Sequence, residues 1–496
     1  MAVRLVTLSL SKGRLVALVA IVALAGASAE GPEARAHWPV ATANAKAQDL
    51  IDRGVAMLYA FDMGEARVAF ETAAREDDAL ALPYAGAALA DTLDINFPST
   101  PDGERRGAAA VAKAQERVAH ASAGERALVN ALERRFAGGD RDREFHGFAQ
   151  TLDAYVRGHR DDANLLTVAA YADYLAADAF VDANGEPNAQ ARTILDDLSR
   201  ALVLDPDNLG AHHLRIHVLE NASRAHEAIP DAQALDAFVY PPGESHLPHM
   251  AGHVWDRVGD YDKLIASAQR ALANDRAWFA LGDGPGQQYM RRYHDHDVDF
   301  LLYGLTTVGR DDEARAAVRD EDAEMRARLA IRLHDGVSAH AAAASGGAFL
   351  RALAAAREGD ASAARAAASQ LRGDDALAQR AIVDGILARA AGATNAALVA
   401  YGPAYERVKS SFPGDPKDFW IAPLGEGYGA ALLEARQFAR AEAVFTAELR
   451  RFPGDPRLEW GLAEAQKAQG HDDAAARAAY RTHWKGNREL TLRDLG

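Results

Sequence analysis

The sequence predicts an all-α fold, a right-handed solenoid of stacked helical hairpins, and three observations carry that prediction. Past residue 40, Ala, Leu, Arg and Glu recur at helical spacing, while runs of Val, Ile, Thr and Tyr stay short. Short glycine turns separate the amphipathic stretches, at Asp62-Met63-Gly64, Val258-Gly259-Asp260, Val308-Gly309-Arg310, Glu358-Gly359-Asp360 and Gln469-Gly470-His471. Each stretch is too short to bury its apolar face alone, so neighbouring hairpins must stack on it.

Composition narrows the function. The 496 residues are 49% hydrophobic and 25% charged, with 40 Gly and 18 Pro, which excludes collagen-like, coiled-coil and wholly disordered chains. No cysteine is present, so disulfides, thiolate zinc sites, iron–sulfur clusters and a thiol nucleophile are excluded. A formal charge of -16 argues against a nucleic-acid partner, whose phosphates want a basic stripe. Any metal site must be built from His, Asp and Glu.

Taken in order, the chain opens on an export signal. Arg4, Lys12 and Arg14 precede an apolar run over 15–27, which ends in Ala27-Ser28-Ala29. The run is shorter than the roughly 20 residues that span a bilayer, and a basic start with a small-x-small end marks a cleaved secretory signal. Residues 1–29 therefore read as the signal peptide, and the mature chain is expected to be periplasmic or secreted without a transmembrane segment. Residues 30–44 read as a linker, 45–335 as N-terminal and central repeats, 345–485 as C-terminal repeats and 486–496 as a tail. A soft break near 335–345 interrupts one continuous solenoid of about six to eight repeats.

The repeat frame is set by small residues. Gly54, Ala66, Phe70 and Ala73 fit a unit of about 34 residues whose second helix carries Ala-x3-Phe. Gly429, Ala441, Phe445 and Pro453 fit it again near the other end, and Ala228, Ala314 and Ala364 take its small second-helix position between them. Only Gly or Ala allows helices so close an approach. An irregular insert over 275–289, with Gly282, Gly284, Pro285 and Gly286, stretches the spacing.

In this frame the chain resembles a tetratricopeptide repeat (TPR) protein. More narrowly, it is similar to a mostly uncharacterised bacterial group of such proteins with histidines in the middle repeats. The likeness rests on Leu89-Ala-Asp-Thr-Leu-Asp-Ile-Asn96, on Gly-Glu-Arg-Ala-Leu-Val at 124–129 and on His213-Leu-Arg-Ile-His217-Val-Leu-Glu220. It continues through His246-Leu-Pro-His249-Met-Ala-Gly-His253 and His296-Asp-Val-Asp-Phe-Leu301. The resemblance implies the fold and a concave groove lined by first-helix residues, but no reaction. Where the group's pattern expects a second His three residues after His296, this chain has Asp299.

Nine of the 17 histidines lie between His212 and His296. In the repeat frame His213, His217 and Glu220 are the fifth, ninth and twelfth residues of one hairpin. His246, His249 and His253 are the second, fifth and ninth of the next, and His296, Asp299 and Tyr303 hold those places in a third. His213/His217 and His249/His253 are i,i+4 pairs, which put two imidazoles on one helix face. Helices packed about 8–10 Å apart let such pairs share one ion, with Asp299, Glu220 or His296 completing or orienting the shell. The metal ligands expected are thus His213, His217, His246, His249, His253, His296 and Asp299. All-imidazole ligation without thiolate suits copper, zinc, nickel or iron, with copper or zinc foremost. Glu220 and Tyr303 are the candidates for catalytic proton transfer or for orienting a ligand.

Other signals are weaker. His212 and His226 fall off the groove register and read as solvated, while His294 precedes the helix face. His334 and His340 flank the soft break without an assigned role. Asp295-His-Asp297-Val-Asp299 opens like a calcium loop but lacks its central Gly and distal Glu. No G-x-S-x-G elbow or H-E-x-x-H motif occurs. Tyr171, Tyr174, Tyr289, Tyr293 and Tyr303 are placed to ring the histidines or to pack the core. Two functions stay open at this level. One is a metal site in a groove that also takes a peptide, protein or small-molecule ligand, with binding or with oxidative or hydrolytic chemistry. The other is a metal-free scaffold that grips a peptide through hydrogen-bonding histidines.

Overall fold

The computed structural model describes residues 31–182, 184–282, 287–335, 346–409 and 419–496. The signal expected at 1–29, His340, most of the soft break, and Gly284, Pro285 and Gly286 of the insert lie outside the described residues. Among those described there are 23 α-helices and no strand, only two isolated bridges, Glu33 with Val239 and Val181 with Pro187.

In chain order the first helices are α1 Ala45–Tyr59, α2 Met63–Glu76, α3 Leu82–Leu89, α4 Pro101–Gln115, α5 Ala123–Arg135, α6 Arg141–Val156, α7 Ala163–Leu175 and α8 Ala189–Leu204. The central group is α9 Leu209–Leu219, α10 Ile229–Ala237, α11 His246–Val258, α12 Tyr261–Phe279, α13 Gln287–Val308, α14 Asp311–Ala317 and α15 Ala323–Arg332. The last are α16 Ala348–Glu358, α17 Ala361–Ala368, α18 Ala376–Ala390, α19 Thr394–Val408, α20 Leu424–Glu434, α21 Phe438–Arg451, α22 Pro456–Gln469 and α23 Ala474–His483.

Polar caps start many of them. Asn44, Ser122, Asp162, Asn208 and Asp260 each turn a side-chain oxygen onto a first-turn amide that has no helical partner. Glycines in the left-handed region end others, with Gly259 at φ 78° closing α11 and Gly470 at φ 73° closing α22. The expected turn at Asp62-Met63-Gly64 is corrected here. Gly64 lies inside α2, and the left-handed residue of that turn is Phe61, at φ 57°.

Consecutive helices pack as hairpins, α1 on α2 through α22 on α23. First helices of successive hairpins also touch, as α1 does α3, α7 does α9, α9 does α11 and α11 does α13. The chain is therefore a tetratricopeptide-like array whose first helices form one continuous wall. Eleven complete pairs occur among the described residues, more than the six to eight the pattern suggested. Second helices as short as α14 and α17, at 7 and 8 residues, span only about two turns and fall short of the roughly 11–18 residues over which periodicity is read.

The small-residue frame works as a socket. A Cβ added at Gly54 would stand 2.8 Å from the Phe70 ring and one at Gly86 2.5 Å, so Phe70 of α2 is gripped between α1 and α3. Phe445 of α21 is held in the same way by Gly429 and Gly461, at 2.5 and 2.4 Å. The wall also curls, since α1 touches α9 and α13 touches α22. Tyr59 of α1 fills the space left by Gly210 of α9, where a Cβ would come within 2.4 Å of its ring. Phe70→Ala empties one such socket and is expected to cost about 3–5 kcal/mol. Chemical denaturation followed by circular dichroism would show it as a lower midpoint of the N-terminal hairpins.

Candidate metal centre

The i,i+4 spacing along α9 sets the first group. His213 and His217 share one face of the helix, and His246, first residue of α11, meets them from the next hairpin. Nε2 of His213 lies 3.0 Å from Nε2 of His217 and 3.1 Å from Nε2 of His246. The second group repeats the first one hairpin later. His249 and His253 of α11 bring Nε2 atoms to 2.9 Å, and His296 of α13 packs its ring 4.6 Å from that of His249. In each trio one nitrogen per residue falls within 4.8 Å of the others. Six imidazoles form two sets of three.

What holds the rings is on their far sides. Nδ1 of His213 donates to the carbonyl of Tyr59 at 2.7 Å, an oxygen left free by the end of α1. Nδ1 of His217 donates to Glu220 Oε1 at 3.0 Å, and Nδ1 of His253 stands 2.8 Å from the other oxygen of that carboxylate. One carboxylate thus backs a ring of each set. Nδ1 of His249 lies 2.7 Å from Asp297 Oδ1. With its Nδ1 proton given to a carbonyl or carboxylate, a neutral imidazole keeps a bare lone pair at Nε2, the tautomer a metal requires.

Burial completes the site. His213, His246 and His249 are 0%, 2% and 1% exposed. Burial first, and neighbouring imidazoles second, hold their pKa values well below the ordinary histidine range, so the rings are neutral. Burial opposes charge on Glu220 too, yet His253 and His217 keep its pKa below the usual carboxylate value. Aromatic rings line both sets. Phe61 packs 4.5 Å from His213 and 5.3 Å from His246, and Tyr293 lies 4.5 Å from His246. Phe300 sits 4.5, 4.7 and 4.9 Å from His249, His253 and His296. Phe61 does this from the left-handed region, a conformation costly for a side chain with a Cβ, where the turns after α11 and α22 use glycine and the α20–α21 turn uses Arg436.

The remaining expectations fall as follows. Asp299 is turned to Arg328, with Nη1 donating to Oδ2 at 2.7 Å, and belongs to neither trio. Tyr303 is buried with its hydroxyl 3.2 Å from that of Tyr261, likewise outside both. Tyr171 reaches His213 Nδ1 at 3.1 Å and Tyr174 packs on His217, while the side chain of Tyr289 lies outside the described residues. His212, expected to be solvated, is instead buried, with Nδ1 2.8 Å from Asp231 and Nε2 2.9 Å from the Pro206 carbonyl. His226 is exposed. His294 lies between Asp275 and Glu321, at 2.9 and 3.3 Å. The motif reading missed Asp297 and Phe61. In the sequence Asp297 stands only in the broken calcium loop 295–299, and Phe61 carries no motif.

No protein-family model matches the chain, and no curated protein matches it. Solved structures with a similar helix succession include the TPR domain of P58(IPK), at TM-score 0.24 and 11% identity over 86% of this chain and 98% of that one. Naa15/Naa10 bound to HypK-THB gives a TM-score of 0.26 at 12% identity, over 91% and 90% of the two chains. Superpositions this loose bear on neither the histidines nor their use. The tetratricopeptide-like build is read from the chain's own hairpins and sockets.

One buried acid stands next to the first set. Glu244, two residues before His246, has its pKa pushed up to about 8, first by burial and then by the Asp62 carboxyl. The folded protein holds this proton more tightly than the unfolded chain does. The stabilisation is therefore fully present below the ordinary pKa and is lost as pH rises through about 8. Glu244→Gln removes that loss. Its stability relative to the parent should climb by roughly 3–5 kcal/mol between pH 5 and 9, read from paired thermal melts. A difference that stays flat with pH would contradict it.

Proposed function

We propose that this protein is an exported helical-hairpin scaffold that holds transition-metal ions, copper or zinc foremost, in the two three-histidine sets. One observation carries the reading. Nε2 of His213 and Nε2 of His217 stand 3.0 Å apart while both Nδ1 atoms are committed, one to a carbonyl and one to an ionised carboxylate. Two bare lone pairs at that distance repel unless a cation lies between them. A proton is the poorer choice, because it joins only two nitrogens and three meet here, with Nε2 of His246 3.1 Å from that of His213. A metal ion satisfies both nitrogens, and His246 supplies the third.

Imidazole donors without thiolate suit copper and zinc better than calcium or magnesium. Three protein ligands leave a coordination position open, as a site that binds or activates a small ligand such as water or dioxygen requires. Glu220 then acts as a positioning residue, fixing one ring of each set. A metal-free scaffold that grips a peptide with its histidines is supported less well, because His213, His246 and His249 are too deeply buried to meet a ligand in the groove.

Elemental analysis of the purified full chain after metal titration and dialysis tests the proposal. Two retained ions per chain are expected, falling to one in His213→Ala plus His217→Ala and to one in His249→Ala plus His253→Ala. Glu220→Gln should keep both sets of ligands but weaken affinity about 10–100-fold, since an amide can accept from only one of the two rings. Protein of unchanged helicity that retains no metal would overturn the proposal.

A further inference from the structure

We propose that the two sets act together as one dinuclear copper centre whose exogenous ligand is dioxygen, bound as a bridge between the ions. This rests on the metal-binding reading above and adds the partner chemistry of the site. The first support is adjacency. The rings of His246 and His249 lie 5.8 Å apart and those of His217 and His253 6.4 Å apart, across the boundary between the sets. Glu220 touches both sides of that boundary, at 3.0 Å to His217 and 2.8 Å to His253. Ions seated at the Nε2 clusters are therefore neighbours within one pocket.

Charge selects the occupant. The atoms that face the ions are imidazole nitrogens, which bring no negative charge of their own. The carboxylate shared by both sets, Glu220, stands behind the rings on their Nδ1 side. A pair of divalent ions would bring four positive charges against it and Asp297, which stands 2.7 Å from Nδ1 of His249, in a buried, aromatic-lined space, where an unbalanced charge is expensive. A pair of copper(I) ions brings only two, and each is content with three imidazoles. Zinc has no monovalent state and would need an added anion between the ions from the outset.

The reaction with dioxygen balances inside the pocket. Each copper(I) gives one electron, the O–O double bond becomes a single bond, and two copper–oxygen bonds form. The ions become copper(II) while the bridging peroxide carries the two electrons as negative charge, so the net charge of the pocket does not change. No proton or outside reductant is consumed, and loss of dioxygen reverses every step. The Phe61, Tyr293 and Phe300 rings keep the pocket apolar, which suits a small neutral ligand. His296, the least buried of the six, marks the side open to entry.

The test uses full-length protein loaded anaerobically with two equivalents of copper(I) and then exposed to dioxygen. Uptake of one dioxygen per two coppers is expected, with a new charge-transfer absorption, no copper(II) paramagnetic signal, and reversal on purging with argon. His249→Ala plus His253→Ala should keep one copper and, in air, give the paramagnetic signal of an isolated copper(II) without the absorption. Should that variant lose its helical circular dichroism, His296→Gln at the open side serves in its place. Two bound coppers that oxidise in air to two isolated paramagnetic ions, or that take up no dioxygen, would overturn the dinuclear inference while leaving the metal-binding proposal intact. Failure to bind any copper or zinc would overturn both.

Discussion

The commitment of Nδ1 governs this protein's central hairpins. A buried imidazole is an ambiguous group, able to donate from either nitrogen, and the oxygen behind it removes the ambiguity. At His213 that oxygen is a main-chain carbonyl from the far end of the curl, and at His217 it is a carboxylate that also serves His253. Once these bonds are made, the Nε2 atoms can only present lone pairs to each other. The aromatic shell, the neutral rings and the deep burial then stop being costs of folding alone and become conditions for holding a cation.

The arrangement is a product of the repeat. Each set joins the fifth and ninth residues of one first helix to the second residue of the next, His213 and His217 to His246, then His249 and His253 to His296. The two sets are one contact displaced by a single hairpin. The series stops at both ends for visible reasons. Toward the C-terminus the fifth and ninth positions are Asp299, which takes Arg328, and Tyr303, which takes Tyr261. Toward the N-terminus the second position of α9 is Gly210, whose missing side chain admits Tyr59. The residue that ends the series thus brings in the chain that anchors its first member.

Much of this was legible in the sequence, and the remainder was not for physical reasons. Helical periodicity, the Gly54–Phe70 and Gly429–Phe445 sockets and the groove register of six histidines all follow from spacing within single hairpins. Partition of those histidines does not. Whether His246 joins its own helix mates or the preceding pair depends on how far neighbouring first helices are offset, a property of packing rather than of period. One shared ion and two separate sets have the same sequence signature. Asp299 sat in the right register and was nonetheless claimed by Arg328, because an arginine from α15 reaches a carboxylate bidentate or singly at little cost in geometry. His212 escaped as well, since nothing local announces that Asp231 and the Pro206 carbonyl will enclose it.

Closure of the curl ties the site to the whole N-terminal half. The carbonyl that orients His213 belongs to α1, while the ring it orients belongs to α9, with three intervening hairpins between them in sequence. A straight solenoid with identical hairpins would leave His213 without that acceptor, and its imidazole would be free to adopt the other tautomer. Tyr59 enforces the curl through Gly210 and through its hydroxyl, which donates to Asn164 of α7 at 3.1 Å. Phe61, two residues further on, leaves α1 in the left-handed region, as Arg436 leaves α20, and lays its ring on His213 and His246. The strain at Phe61 is therefore spent at the point where superhelical curvature and ligand orientation are set together. An ion bound as proposed and closure of the N-terminal turn of the array would stabilise one another, since each needs the same carbonyl in the same place.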